Sequence, residues 1–255
     1  MNVTVIGCSG SYAGPDSAAS CYLVEAPDAD EPGRTWRLLL DLGSGALGAL
    51  HRHVDPLTID ALLISHLHAD HFFDISGYYV MRKYHPRGPQ PRIPVWGPRA
   101  TRSRVARAYG LPLDPGMNAE FEFKRIRKGT LTIGPFSITA KRMDHPVEAY
   151  GFRIESGGRT LVYSGDTAAC DNLTDLARDA DLLLAEAAFR DDEDNPEHIH
   201  MTGSQAAATA RDARVGMLVL THIPPWHDKQ DAIHEAAGVY DGRVLLASEG
   251  STYQV

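Results

Sequence analysis

The chain has 255 residues, 43% of them hydrophobic, and a formal charge of −8. That length can bury a substantial core in one large α/β domain or two smaller ones, and the acidic balance argues against a surface that coats nucleic acid. No apolar run approaches the roughly 18 residues of a membrane span, so no membrane partner is expected.

The first residues, Met1-Asn2-Val3-Thr4-Val5-Ile6, lack a basic leader and read as a strand, not a signal peptide. Cys8, Cys21 and Cys170 are odd in number and far apart, which suits a reducing compartment and a cytoplasmic protein. After the first strand comes a small-residue loop, Gly7-Cys8-Ser9-Gly10-Ser11, through which backbone could approach a ligand; no P-loop lysine follows it. Tyr22 to Glu25 and Trp36 to Leu40 read as strands. Leu40-Asp41-Leu42-Gly43-Ser44-Gly45 then leads into a helix through about Val54, with Leu47, Leu50 and Val54 on one face and His51 and His53 at the surface.

Asp60 to Ile64 is a strand that delivers Ser65-His66-Leu67-His68-Ala69-Asp70-His71. Three imidazoles and a carboxylate this close together are not explained by core packing, whereas imidazole nitrogen and carboxylate oxygen are the usual ligands of zinc and similar ions. If the segment stays extended, His66 and His68 project to one side and can share an ion. The chain must turn before Asp70 and His71 can both serve a second. A helix from Asp70 carries Phe72, Phe73, Ile75 and Tyr79. Pro86, Pro89, Pro91 and Pro94 punctuate a loop near the expected mouth. Arg82, Lys83, Arg87, Arg92, Arg99, Arg102, Arg104 and Arg107 form a basic region, read first as a solvated helix face and loop and second as a phosphate-binding patch.

A helix from Arg99 to Tyr109 precedes strands at Glu120 to Arg125, Thr130 to Ile133 and Phe136 to Arg142. The last runs into Met143-Asp144-His145-Pro146, where a proline-locked His suits a ligand or a structural role equally. Gly151 to Glu155 and Thr160 to Tyr163 form a hairpin that empties into Ser164-Gly165-Asp166-Thr167. Asp166 could bridge two ions or make an Asx-type turn. Asp181 to Ala185 is a strand ending at Glu186. His200 stands just before Thr202-Gly203-Ser204-Gln205, whose capping-box spacing starts an alanine-rich helix. Val215 to Leu220 delivers Thr221-His222. A helix from Lys229 to Ala237 and strands at Arg243 to Ala247 and Ser251 to Gln254 close the chain. No short repeat and no interdomain linker interrupts residues 1–255, which reads as a single domain.

Potential ligands thus recur at strand exits: His66 and His68, His145, Asp166, His222. This order resembles the metallo-β-lactamase superfamily over nearly the whole chain. The resemblance implies an α/β fold, an αββα sandwich of two mixed β-sheets flanked by helices. It further implies two divalent ions, zinc first and manganese second. His66, His68 and His145 would hold one, and Asp70, His71 and His222 the other, with Asp166 between them and Asp70 counted also among the catalytic residues. Glu186 and the His200-Met201-Thr202 segment resemble the paired Glu and His motifs of the RNase Z group, in which the His assists the phosphate or leaving oxygen and the Glu orients it. The protruding tRNA-gripping arm of that group would fall between His145 and Asp166, where this chain has only a tight hairpin.

Val5-Ile6-Gly7-Cys8-Ser9-Gly10-Ser11, Gly14-Pro15-Asp16-Ser17, Tyr84-His85-Pro86 and Thr221-His222-Ile223-Pro224-Pro225-Trp226 resemble the bacterial atypical class II-like cyclic-AMP phosphodiesterases. That resemblance implies hydrolysis of 3′,5′-cyclic AMP to AMP, with a water between the two ions as nucleophile. His200 is the expected acid for the departing 3′ oxygen, or else a residue behind the ligands or a helix cap. The alternatives are an RNase Z-like tRNA 3′-processing nuclease or broad phosphodiesterase, with RNA as substrate, and a metal-containing binding protein without turnover. The superfamily also includes many homodimers.

Overall fold

The computed structural model describes residues 1–255. Strands β1 (Asn2–Ser9), β2 (Ala18–Ala19), β3 (Cys21–Pro27) and β4 (Thr35–Leu40) precede helix α1 (Ala46–Leu50). Strand β5 (Ala61–Leu63), helices α2 (Ala69–Phe72) and α3 (Ile75–Lys83), strand β6 (Ile93–Gly97), helix α4 (Thr101–Tyr109) and strand β7 (Phe121–Arg125) complete the first half. The second half contains β8 (Thr130–Ile133), β9 (Phe136–Arg142), β10 (Tyr150–Ser156), β11 (Arg159–Tyr163), α5 (Asp171–Ala177), β12 (Leu182–Glu186), α6 (Gly203–Asp212), β13 (Met217–Thr221), α7 (Lys229–Ala236), β14 (Arg243–Leu246) and β15 (Thr252–Gln254).

The strands form two sheets. One has the order β15-β1-β3-β4-β5-β6-β7, with β2 beside β1, and the other β14-β13-β12-β11-β10-β9-β8. Each sheet is mixed: β3 and β4 pair antiparallel while β4, β5, β6 and β7 run parallel, and β8 to β11 are antiparallel while β11 to β14 run parallel.

Alternation of side chains along a strand decides which layer each residue enters. Leu38 and Leu40 face the space between the sheets, where they meet Leu182, Leu184, Phe136 and Phe152. Leu39 and Leu62 face outward onto Ala46 and Leu50 of α1, Ile75 and Tyr78 of α3 and Val105 of α4. On the second sheet, Leu183 and Leu218 face outward onto Leu173 and Leu176 of α5, Ala206 and Ala210 of α6 and Ala236 of α7. Helix–sheet–sheet–helix layering follows, as the resemblance implied. No helix is long and apolar enough to cross a membrane, and all three cysteines are free.

Four local expectations are corrected. The proline-rich segment contains strand β6, and Pro94 is tolerated because β5 reaches only Val95 and Trp96. The missing N–H of Pro94 falls where β6 has a partner on one side alone. Helix α1 ends at Leu50, so His51 and His53 lie in the following turn, both exposed. Helix α5 was not expected; it is short, and Leu173, Leu176 and Ala177 are its only buried side chains. Arg82 leaves the solvated face assigned to it. It is 2% exposed, donates to Tyr78 Oη at 3.1 Å and to the carbonyl of Pro91, and lies over the Tyr78 ring.

Candidate metal centre

Parallel strands open a crevice at their carboxyl ends, and here the potential ligands leave the chain at those ends. Asp41 follows β4, Ser65 and His66 follow β5, Asp166 follows β11, Glu186 closes β12 and His222 follows β13. His145 arrives from the end of β9.

Two ligand groups result. His66, His68, His145 and Asp166 present donor atoms all within 4.8 Å of one another, and so do Asp70, His71, Asp166 and His222. In the first group Nδ1 of His68 lies 2.9 Å from His66 Nε2 and 3.2 Å from His145 Nε2. In the second, His71 Nε2 lies 3.5 Å from Asp70 Oδ2 and 3.2 Å from Asp166 Oδ1, and His222 Nε2 is 3.4 Å from Asp166 Oδ2. Asp166 is the residue common to both. All seven residues expected from the sequence are therefore gathered, in the division that the resemblance implied.

Divalent ions fit this donor set. His71 Nε2 and Asp166 Oδ1 are buried without a hydrogen-bond partner, although leaving such atoms unpaired is costly. Seven nitrogen and oxygen donors in two clusters sharing one carboxylate suit zinc or manganese.

The electrostatics agree. Burial, then the neighbouring imidazoles, push His66 and His68 below the ordinary histidine range, and burial lowers His222. These rings stay neutral at neutral pH, as ligands must be. Burial would also lower His71, but the carboxylates of Asp166, Asp70 and Asp41 around it prevail and hold it well above the usual value. Burial would raise Asp166, yet His222, His71 and His66 keep it well below the carboxylate range.

A layer behind the ligands orients them. Asp41 Oδ2 accepts hydrogen bonds of 2.7 Å from His71 Nδ1, Ser65 Oγ and Tyr163 Oη, and its Oδ1 accepts from the Ser65 backbone at 2.7 Å. His145 Nδ1 donates to the Ile199 carbonyl at 2.9 Å, and His222 Nδ1 shares a 2.8 Å hydrogen bond with Ser20 Oγ. Each contact fixes which ring nitrogen faces the ion. Sequence reasoning passed over Asp41, Tyr163 and Ser20; Asp41 directly before a Leu-Gly-Ser-Gly turn was the one available signal. Replacing Asp41 with Asn should weaken metal binding by about 10–100-fold, measured by competition with a chromophoric chelator; unchanged affinity would remove Asp41 from this role.

Close backbone approach also shapes the site. A Cβ on Gly43 would lie 2.0 Å from the carbonyl oxygen of Asp70, and one on Gly10 would lie 2.2 Å from that of His222. Gly7 to Ser9, expected as loop, belong to β1, and Gly10 just after them packs against a ligand's own backbone, its N donating to Ile223 O at 3.1 Å.

Beside the two clusters stands a third group, Asp166, Glu186 and His200. Glu186 is fully buried; its Oε1 accepts from His200 Nδ1 at 2.8 Å and from Thr167 N at 2.9 Å. The His200 ring meets that of Phe189 edge to face, with centroids 5.0 Å apart. Its Glu186 partner overrides the lowering effect of burial, and the His200 pKa is pushed up to about 9. Thr202 caps α6 in a complete capping box just after it. His198 hydrogen-bonds Asp144 at 2.8 Å and lines a cleft with His200, whereas His85 is a half-buried loop residue just after α3.

Comparison with known proteins shows the family. The sequence profile of the beta-lactamase superfamily domain matches residues 36–223. Protein ML1173 of Mycobacterium leprae is 43% identical over 260 residues, spanning 100% of this chain and 89% of that protein. The probable metallo-hydrolase YhfI of Bacillus subtilis is 32% identical over 264 residues and 100% of both chains. Its crystal structure matches with a TM-score of 0.86, covering 99% of this chain and 98% of that one. A ribonuclease Z of Myxococcus xanthus is 28% identical over 273 residues, 86% of this chain and 88% of that protein. With a profile that covers most of its length and a full-length relative above 30% identity, this chain belongs to the beta-lactamase superfamily.

Proposed function

We propose that the chain is a metal-dependent hydrolase, a binuclear phosphodiesterase that opens 3′,5′-cyclic nucleotides, with cyclic AMP to AMP as its reaction. The observation that carries this reading is the His200–Glu186 pair held against Asp166, the residue both ligand groups share. Two bound divalent ions would supply Lewis acidity toward a phosphoryl group and an acidified water. His66, His68 and His145 would hold one, Asp70, His71 and His222 the other, and Asp166 both.

The chain's own groups do the rest. His200 keeps its Nε2 proton because Glu186 stabilises the imidazolium, so it can hand that proton to a departing ribose oxygen. Glu186 is itself pinned by the backbone N–H groups of Thr167 and Ala188, so the dyad enters the reaction already oriented. Asp41 keeps the His71 ring in its ligating tautomer.

Between His145 and Asp166 the chain forms only the β10–β11 hairpin, turned at Gly157 and Gly158. This favours a small substrate over an RNA that needs a gripping arm. The adenine assignment rests on the resemblance carried by the flanking segments Val5 to Ser11, Gly14 to Ser17, Tyr84 to Pro86 and Thr221 to Trp226. The ribonuclease Z relative favours a second reading, tRNA 3′ processing. Cyclic AMP, cyclic GMP, a precursor tRNA and a bis-aryl phosphodiester should be assayed side by side with zinc or manganese. Cyclic-AMP turnover exceeding the others is expected; tRNA trimming without cyclic-AMP turnover would sink the first reading.

A further inference from the structure

We propose that the gap between the two sheets at the β7–β8 turn binds an amphiphilic carboxylate, an anion with a short apolar tail. The gap is a cavity of about 210 Å³ walled by Leu63 and Trp96 of the first sheet and by Leu131, Ile138, Ala140 and Phe152 of the second. Leu63, Ile138 and Phe152 are almost wholly buried. Packed interiors leave few voids larger than a water molecule, and an apolar cavity of about 150 Å³ already takes up benzene. A tail of about eight carbons therefore fits, in a space that water wets poorly.

The mouth has the opposite character. Arg127 and Lys128 line it, both exposed, no carboxylate shares the lining with them, and the ion pairs of β7 join Lys124 to Glu122 and Arg125 to Glu148. The backbone N–H groups of residues 127–129 donate to no group of the chain. Free cations and free amides at the rim of an apolar slot match a carboxylate head whose tail is inserted. None of the seven ligands lines this cavity, so the site stands whether or not the phosphodiesterase reading does.

Octanoate and 1-octanol, titrated calorimetrically into the full chain, test this. Octanoate should bind with a Kd on the order of 10⁻⁴ M. The paired reversal Arg127→Glu and Lys128→Glu should weaken octanoate by about tenfold or more while leaving octanol within about twofold. Ala140→Phe, which fills the cavity, should abolish binding of both. The reversal touches only exposed side chains, so it decides the head-group contact even if Ala140→Phe does not fold. Absence of octanoate binding at about 1 mM, or binding unchanged by the paired reversal, overturns the site.

Discussion

Replacing Asp166 with Ala should release bound metal and abolish turnover, a loss on the order of 10⁴-fold or more and the largest effect of any single substitution in the site. The reason is geometric: its carboxylate is the one group belonging to both ligand clusters, with Oδ1 at 3.2 Å from His71 Nε2 and Oδ2 at 3.4 Å from His222 Nε2. It also sits almost fully buried among imidazoles, so its loss leaves His71 facing fewer negative charges. Metal content by mass spectrometry, read with turnover, checks this, and two ions retained per chain would show that Asp166 does not bridge. The metal-free protein gives a second readout. The pKa of Asp166 is depressed in the fold, so its contribution to stability is present above the ordinary carboxylate pKa and is lost as pH falls through the depressed value. The variant should lack that acid-side loss. Metal uptake by the unaltered chain should also expel a proton from His71 at neutral pH, because His71 is held protonated by its carboxylate neighbours until an ion takes that proton's place on the ring.

The ligands were legible because the chemistry is local. His66, His68, Asp70 and His71 lie in one short stretch whose spacing needs no knowledge of the fold. His145, Asp166, Glu186 and His222 were legible as residues at strand exits, where periodicity ends and the parallel strands of the fold place their crevice. Asp41 was not. It lies in a left-handed conformation at φ 59°, and its three side-chain partners, Ser65, His71 and Tyr163, come from distant segments. The turn after it marks a bend in the chain but not these partners. His222 adopts the same backbone region at φ 57°, which a β-strand reading of Val215 to Leu220 could not foresee. Strand β6 was hidden by the same kind of limit: a proline argues against a strand only where a neighbouring strand lies on the side its missing N–H would face, and the shortness of β5 is a property of the sheet, not of residues 86–97. Arg82 shows the converse. Its charge suggested solvent, but Tyr78 and the Pro91 carbonyl, supplied by the fold, make a buried guanidinium tolerable.

His200→Ala should keep both metals and lower turnover by about 10²–10⁴-fold, because His200 belongs to neither four-residue ligand cluster yet reaches the shared Asp166. The pH profile separates an acid from a merely structural ring. With its pKa pushed up to about 9 in the metal-free chain, His200 is protonated at neutral pH, and any rate that needs its proton falls as pH rises through the value it has in the loaded enzyme. Two nearby cations disfavour the imidazolium, so that limb should lie below 9 when metal is bound. Glu186→Gln keeps a hydrogen-bond acceptor for Nδ1 but removes the charge; it should move the alkaline limb further down, toward the ordinary histidine value of about 6.5, with metal content unchanged. In His200→Ala the limb should vanish. The same shift predicts that the pair's contribution to metal-free stability is fully present below about pH 6.5 and is lost as pH rises through about 9. An alkaline limb that survives in His200→Ala, or loss of both ions in that variant, would remove His200 from the role of acid and place it with the groups that hold the metal.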